Sequence, residues 1–323
     1  MKKMIALIML SIMIISCKEE EITNPENQND LSVLKSNESN MLRFGSVDEL
    51  KEFISVQHEN DEDLLDKARR MSEEGKYNPL LLVYNLEGKE AEKLGIKERN
   101  VPTVASNDDM LLLLLNENGE IGIEDKIFRI DGDFVYSYSE GTSSNISEFL
   151  NAYNTGEIRI GRGDTYEFSK ELTVYRHNND SEREENREGV RGATSYKYFS
   201  NNYRMKARQY NGYWLFYSSI GAKTKVEERK KFLWWSWWKT VKTDNRLEYQ
   251  LTYNVTSTFG FPPLTLTASG HKYCHCNSAN KVYDWSVGFP AAPNVYKPLE
   301  GYSKHWAHWY STNPNTVSTT MYY

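Results

Sequence analysis

"NDDMLLLLLNENGEIGIEDKIFRIDGDFVYSY", residues 107–138, carries both halves of the fold problem in one run. Leu111 to Leu115 contain no β-branched residue. They follow Asn107, Asp108 and Asp109, whose short polar side chains accept from the first free amides of a helix, and they precede Asn118-Gly119. That arrangement predicts a short capped helix. The text then changes period. Glu120 to Ile123, Lys126 to Ile130 and Phe134 to Tyr138 alternate every two residues and are broken by Glu124-Asp125 and Asp131-Gly132-Asp133, which predicts a three-stranded meander.

Upstream, Ser46-Val47-Asp48-Glu49 has capping-box spacing, and Val47, Leu50, Phe53 and Ile54 repeat at helical intervals. A second helix is expected from about Asp61, with Leu64, Leu65, Ala68 and Met71 on one face and Gly75 as its stop. Pro79 to Tyr84 reads as a strand or a buried extended segment. Gly156 to Ile160 echoes Gly119 to Ile123 and reads as a second hairpin start in the same sheet. Arg162-Gly163-Asp164 falls at a turn tip, where the turn itself accounts for the glycine.

Downstream, residues 177–192 (HNNDSEREENREGVRG) alternate in charge without an apolar period and read as a linker or long loop. The composition then shifts, since all eight tryptophans lie at or beyond Trp214. Tyr203 to Arg208, Tyr213 to Ser219, Lys223 to Glu227, Arg246 to Val255 and Lys281 to Val287 are short, aromatic or β-branched, and divided by Gly or Pro-Pro. The expected architecture is an α+β module over residues 41–176 followed by an all-β module over 193–323, an antiparallel sandwich.

The amino terminus supplies an address. Lys2 and Lys3 precede an apolar run from Met4 to Ile15, too short to span a bilayer, and Ser16 then Cys17 follow. Residues 1–16 read as a leader. Ile14-Ile15-Ser16-Cys17 resembles the bacterial lipobox, in which the cysteine thiol takes a lipid before cleavage. Each buried methylene of such a lipid adds about 0.8 kcal/mol of membrane affinity. Residues 17–40 form a lipidated cysteine and a tether too polar to fold, spanning ~25 Å at random-coil dimensions. Lys18-Glu19-Glu20-Glu21 resembles the export tag of surface-exposed lipoproteins of Bacteroidetes, and Leu114-Leu115-Asn116 before Gly119-Glu120-Ile121 resembles a turn in uncharacterised members of that group. The resemblance implies a protein lipid-anchored in the outer membrane and facing outward, with the membrane as one partner. It implies no known activity.

With 39 basic and 45 acidic side chains the formal charge is −6, and loss of the leader's two lysines makes it more negative. Such a chain is not a general nucleic-acid binder. No phosphate-cradling glycine loop, nucleophile elbow or His-Glu-x-x-His helix occurs in the sequence, and no cofactor or catalytic residue is implied.

"LWWSWWK", residues 233–239, sets Trp235 and Trp237 on one face of a strand and Trp234 and Trp238 on the other. One reading packs these indoles in the core and under a loop. The other makes Trp235 and Trp237 a stacking platform for sugar rings, extended by Trp306 and Trp309 with Tyr302 and Tyr310 nearby and Asp244, Asn245 and Arg246 as polar partners. His271, Cys274, His275, Cys276, His305 and His308 lie close in sequence. Cys274, Cys276, His305 and His308 have the ligand types for zinc, but Cys-x-Cys is tighter than zinc spacing and His-x-x-His suits a helix rather than a strand. A disulfide between residues two apart in a flat strand sits at the outer limit of bridging geometry, so two buried thiols on one strand face are expected instead. The sequence therefore points to a non-catalytic surface binding or adhesion protein, with glycans as ligand. The alternatives are an envelope protein that binds another protein and, third, a glycan-active hydrolase.

Overall fold

Helix and strand signals around Asp108 meet in a structure, a computed structural model, that describes residues 40–60, 62–86, 101–104, 106–177, 194–232, 235–257, 260–289, 291, 293–312 and 314–323. The leader, Cys17, the tether up to residue 39 and the charged stretch beyond His177 lie outside these residues. In chain order the elements are β1 (Arg43–Phe44), α1 (Val47–Glu59), α2 (Leu64–Glu73), α3 (Leu80–Val83), α4 (Asp109–Leu114), β2 (Glu120–Ile123), β3 (Lys126–Asp131), β4 (Phe134–Ser139), α5 (Ser144–Asn154), β5 (Thr165–Glu167) and β6 (Leu172–Arg176). The second half is all strand: β7 (Thr194–Ser200), β8 (Tyr203–Tyr213), β9 (Tyr217–Phe232), β10 (Trp235–Val241), β11 (Thr243–Thr256), β12 (Leu264–Cys276), β13 (Ser278–Val287), β14 (Val295–His308) and β15 (Thr316–Tyr322). The fold is mostly β, in several antiparallel sheets, with the helices gathered in the first half.

The capping predictions are realised. Asp108 accepts from the Met110 amide (2.8 Å) at the start of α4, and Leu111 to Leu115 are all buried. Ser46 Oγ accepts from the Glu49 amide (3.2 Å), while the Glu49 carboxylate reaches one residue further back than a standard capping box, to the Gly45 amide (2.6 Å). Gly75 ends the α2 region with φ +70°, a conformation that costs glycine little. Two expectations fail. Pro79 to Tyr84 is a helical turn rather than an extended segment, because Pro79 supplies the fixed φ of a helix start and the three leucines after it lack β-branching. Gly156 to Ile160 is not a strand, because Gly156, at φ +81°, terminates α5 and turns the chain away.

The meander forms as predicted inside a six-stranded sheet of order β1-β2-β3-β4-β6-β5. Ile127, Tyr136 and Tyr138 on one face pack under Ile146 and Phe149 of α5. The other face, with Ile121, Phe128 and Ile130, packs against the leucine cluster of α3 and α4. Trp214, Phe216 and Tyr217 from the second half enter that same core, with the Phe216 ring 5.1 Å from Phe128. The halves on either side of residues 177–192 therefore pack against each other.

In the second half, β10-β9-β8-β7 form one sheet in which β9 also pairs with β13, and β12-β11-β14-β15 form another. The 16-residue β9 explains the branch: Tyr217 to Lys225 pair with β13 and Val226 to Phe232 with β10 along the same edge. Strands pass from one sheet to the other through the single residues Lys242 and Asn277. Helix α2 pins both passages. Its N-cap Asp63 accepts from the Asn277 amide (2.6 Å), and Lys242 pairs with Asp66 (3.1 Å). Between the two sheets lie Met205, Ala207, Val226, Ala307 and Met321 at one end and Ile220, Leu251, Tyr253 and Tyr296 at the other. Gln209 ties the layers by donating to Ser303 Oγ (3.0 Å) and the Met321 carbonyl (3.1 Å).

Candidate functional site

Strand alternation decides where each predicted site residue goes. Trp306 lies on the outward face of β14, flanked on the adjacent strand by the Arg246 guanidinium 5.0 Å from its ring. Trp309, beyond the end of β14, instead stacks on Tyr203 with ring centroids 4.5 Å apart and belongs to the inter-sheet packing. Trp237 is partly exposed on β10, in the other sheet. Trp235 opens β10 opposite Phe232 and is placed by its backbone alone. Trp238, on the face opposite Trp237, sits 4.0 Å from the Arg204 guanidinium. The predicted four-indole platform is not assembled in one place.

What the second sheet presents outward is an aromatic plane that only partly overlaps the predicted one. Register places Tyr273, Arg246, Trp306 and Ser318 in one cross-strand row, with Gln250, Tyr302 and Tyr322 two rows away. Tyr273 and Tyr322 are 65% and 67% exposed, values that set them apart from buried strand tyrosines such as Tyr253. Polar groups fill the spaces between the rings. Lys304 lies 4.9 Å from the Tyr302 ring and pairs with Glu248 (3.4 Å). Asp244 accepts from Tyr310 and from His275 Nδ1 (2.8 Å), and those two bonds, Tyr310's foremost, hold its carboxyl below the usual carboxylate range. Asn245, one residue on, points inward and is fully buried, donating to the Cys276 carbonyl (2.9 Å).

The zinc-type residues do not converge. Cys274 and Cys276 are joined in a disulfide rather than held as free thiols; the strand contracts there to a Cα separation of 5.3 Å, below the ~6.6 Å of two extended residues, and so brings the sulfurs into reach. His305 and His308, three apart on a strand, point to opposite faces. His308 bonds Thr316 on the surface (2.8 Å), while His305 is fully buried between Thr224 Oγ1 and Ser303 Oγ, each at 2.7 Å. Among the described residues no three His, Cys, Asp or Glu side chains group as a metal site.

Burial pushes the His305 pKa down to about 3, and burial together with Lys281 and Lys272 pushes that of His58 to about 4. An unfolded histidine gains its proton near pH 6.5. The contribution of both rings is thus whole above that pH, declines as pH drops through it, and goes on declining toward 4 and 3. Urea midpoints should be lower at pH 5 than at pH 7.5, and His305→Gln should narrow that gap; an unchanged gap would contradict the assignment.

A second feature lies on the other side of the molecule, where β8 and β9 face α2, α3 and α4. A cleft of about 190 Å³ is lined there by Lys206, Arg208, Lys223 and Lys225, with Asn85, Asn107, Asn277 and Ser278 at its polar edges. Asp109, buried at the start of α4, engages Lys223 and accepts from Ser278 Oγ (2.8 Å). Glu227 binds Arg204 (2.7 Å) and Lys225 (2.9 Å). Burial alone would raise the Glu227 pKa, yet Lys225, Lys206 and Arg204 hold it at about 2. Sequence reasoning missed this cluster, although a signal was present: Lys-x-Arg and Lys-x-Lys lie at mirror distances from the point between Leu215 and Phe216 at the centre of the β8–β9 hairpin.

No family model, curated protein or solved structure matches this chain.

Proposed function

We propose that this chain is a lipid-anchored, outward-facing outer-membrane lipoprotein of the Bacteroidetes type, attached through Cys17, whose second half is an antiparallel sandwich that binds extracellular glycan without catalysis. The observation that carries the reading is the outer face of β12-β11-β14-β15, where Trp306, Tyr302, Tyr273 and Tyr322 share a plane with Arg246, Glu248 and Lys304. The apolar face of a sugar ring stacks on such rings while its hydroxyls bond the charged groups between them. A flat sheet face suits a polymer better than a free monosaccharide, because adjacent rings of one chain can occupy successive aromatic rows.

Replacing a surface indole leaves the core untouched. Trp306→Ala should therefore weaken retention of the mature lipoprotein on an immobilised neutral polysaccharide about tenfold, equivalent to ~1.4 kcal/mol, with no loss of thermal stability. Retention equal to that of the parent would remove the aromatic plane from the account. Retention of neither protein on any polysaccharide, with a polypeptide recovered by surface crosslinking, would favour a protein partner.

A further inference from the structure

Lys206 stands directly opposite Lys225, and Arg208 directly opposite Lys223, in the antiparallel pairing of β8 with β9. Two like-charged cross-strand pairs side by side make a two-by-two block of cations on one face of a sheet. Like charges in directly opposed positions destabilise a sheet. Arg204 lies on the same face of β8, and among the described residues Asp109 pairs with Lys223 while Glu227 pairs with Arg204 and Lys225. Asp109 is committed to Lys223 and Ser278, and Glu227 to Arg204 and Lys225. Lys206 has no carboxylate within ion-pair distance among the described residues; its ammonium lies 5.6 Å from the Tyr196 ring. Burial first, then Arg208 and Lys225, push its pKa down to about 7 against the pull of Glu227. A sheet that holds such a group in a cleft forfeits stability there, and that pattern belongs to binding sites rather than to scaffolds.

We propose that this cleft is an oxyanion-binding site, taking a phosphate or sulfate group against Lys206, Arg208 and Lys225. The cleft's ≈ 190 Å³ falls below the ~300–1,000 Å³ of pockets that enclose drug-sized ligands, so it fits a small anion or the charged end of a larger molecule. Arg208 supplies a planar fork for two anion oxygens, and the lysines act as point charges. The site is on the far side of the strands from the aromatic plane, and the inference does not depend on the glycan reading.

Calorimetric titration of the full-length mature lipoprotein with inorganic sulfate and inorganic phosphate, at ionic strength held constant with sodium chloride, tests it. Saturable binding of either ion is the expected result. Lys206→Met should weaken that binding at least tenfold while raising the melting temperature of the unliganded protein by about 2–4 °C, because a half-buried cation facing Arg208 and Lys225 is removed. Arg208→Gln provides a second variant, also expected to lose at least tenfold. Glucose 6-sulfate and glucose 6-phosphate distinguish the source of the group. Binding at least tenfold tighter than the inorganic ion assigns the site to an esterified sugar, and equal binding assigns it to the free ion. Absence of saturable binding in all four titrations, or unchanged affinity in both variants, would overturn the proposal.

Discussion

Asp108→Ala is expected to lower the unfolding free energy by about 4 kcal/mol. The carboxylate is fully buried and does three jobs at once. One oxygen caps α4 through the Met110 amide (2.8 Å), and the other accepts from Tyr217 (2.5 Å) and Ser219 (2.6 Å) on β9. Loss of an N-cap costs about 1 kcal/mol. Leaving each buried hydroxyl without an acceptor costs about 1–3 kcal/mol more. Burial raises the pKa of Asp108 against the pull of Ser219 and Tyr217, so part of this gain is already offset by desolvation, which places the expected loss toward the lower end of the range. Asp108→Asn retains an oxygen for the cap but turns an amide donor toward the two hydroxyls, and should fall about midway. Urea titrations of the three proteins check this; a loss below about 1 kcal/mol in the alanine variant would show that the carboxylate does not join the halves.

Phe216→Ala is expected to cost about 3–5 kcal/mol, the usual range for a buried phenylalanine. Its ring is fully buried and meets Phe128 of the first sheet, which also packs edge-on against Phe289 at 5.0 Å. Because every tryptophan lies at or beyond Trp214, indole fluorescence reports on the second half and, through Trp214 and Trp285, on the shared core, while ellipticity at helical wavelengths reports on the first half. In the parent protein the two signals should lose structure at the same urea concentration. In Phe216→Ala both midpoints should fall, and they should separate. A variant whose fluorescence midpoint alone moved, by less than about 1 kcal/mol equivalent, would deny the shared core.

Local chemistry made much of the fold legible. Ser46, Asp108 and Gly75 act at short range, and the meander's alternation writes its own turns, so α1, α4 and β2 to β4 could be placed from sequence. The apolar pattern of Pro79 to Tyr84, buried at five of its six positions, fits a strand or a helical turn; Pro79 and the unbranched leucines favour the turn, and packing against α4 holds it. Gly156 to Ile160 resembled a strand start, but α5 before it consumes the glycine as a terminator. Site residues were harder. Trp306 and Trp309 differ by three positions, and only register and strand end determine that one faces outward and the other stacks on Tyr203. The disulfide required a local contraction of β12 that composition does not encode. The cationic block depends on pairing two strands across a hairpin, a non-local fact visible only once the turn is centred between Leu215 and Phe216.

Oxidative footprinting with and without bound polysaccharide tests most directly whether the outer face of β12-β11-β14-β15 is the proposed binding surface. Trp306, Tyr273 and Tyr322 should react quickly in the free protein and become protected on binding, with Trp214 and Trp309 slow in both states. Equal reactivity of Trp306 and both tyrosines in the two states, with protection elsewhere, would contradict it.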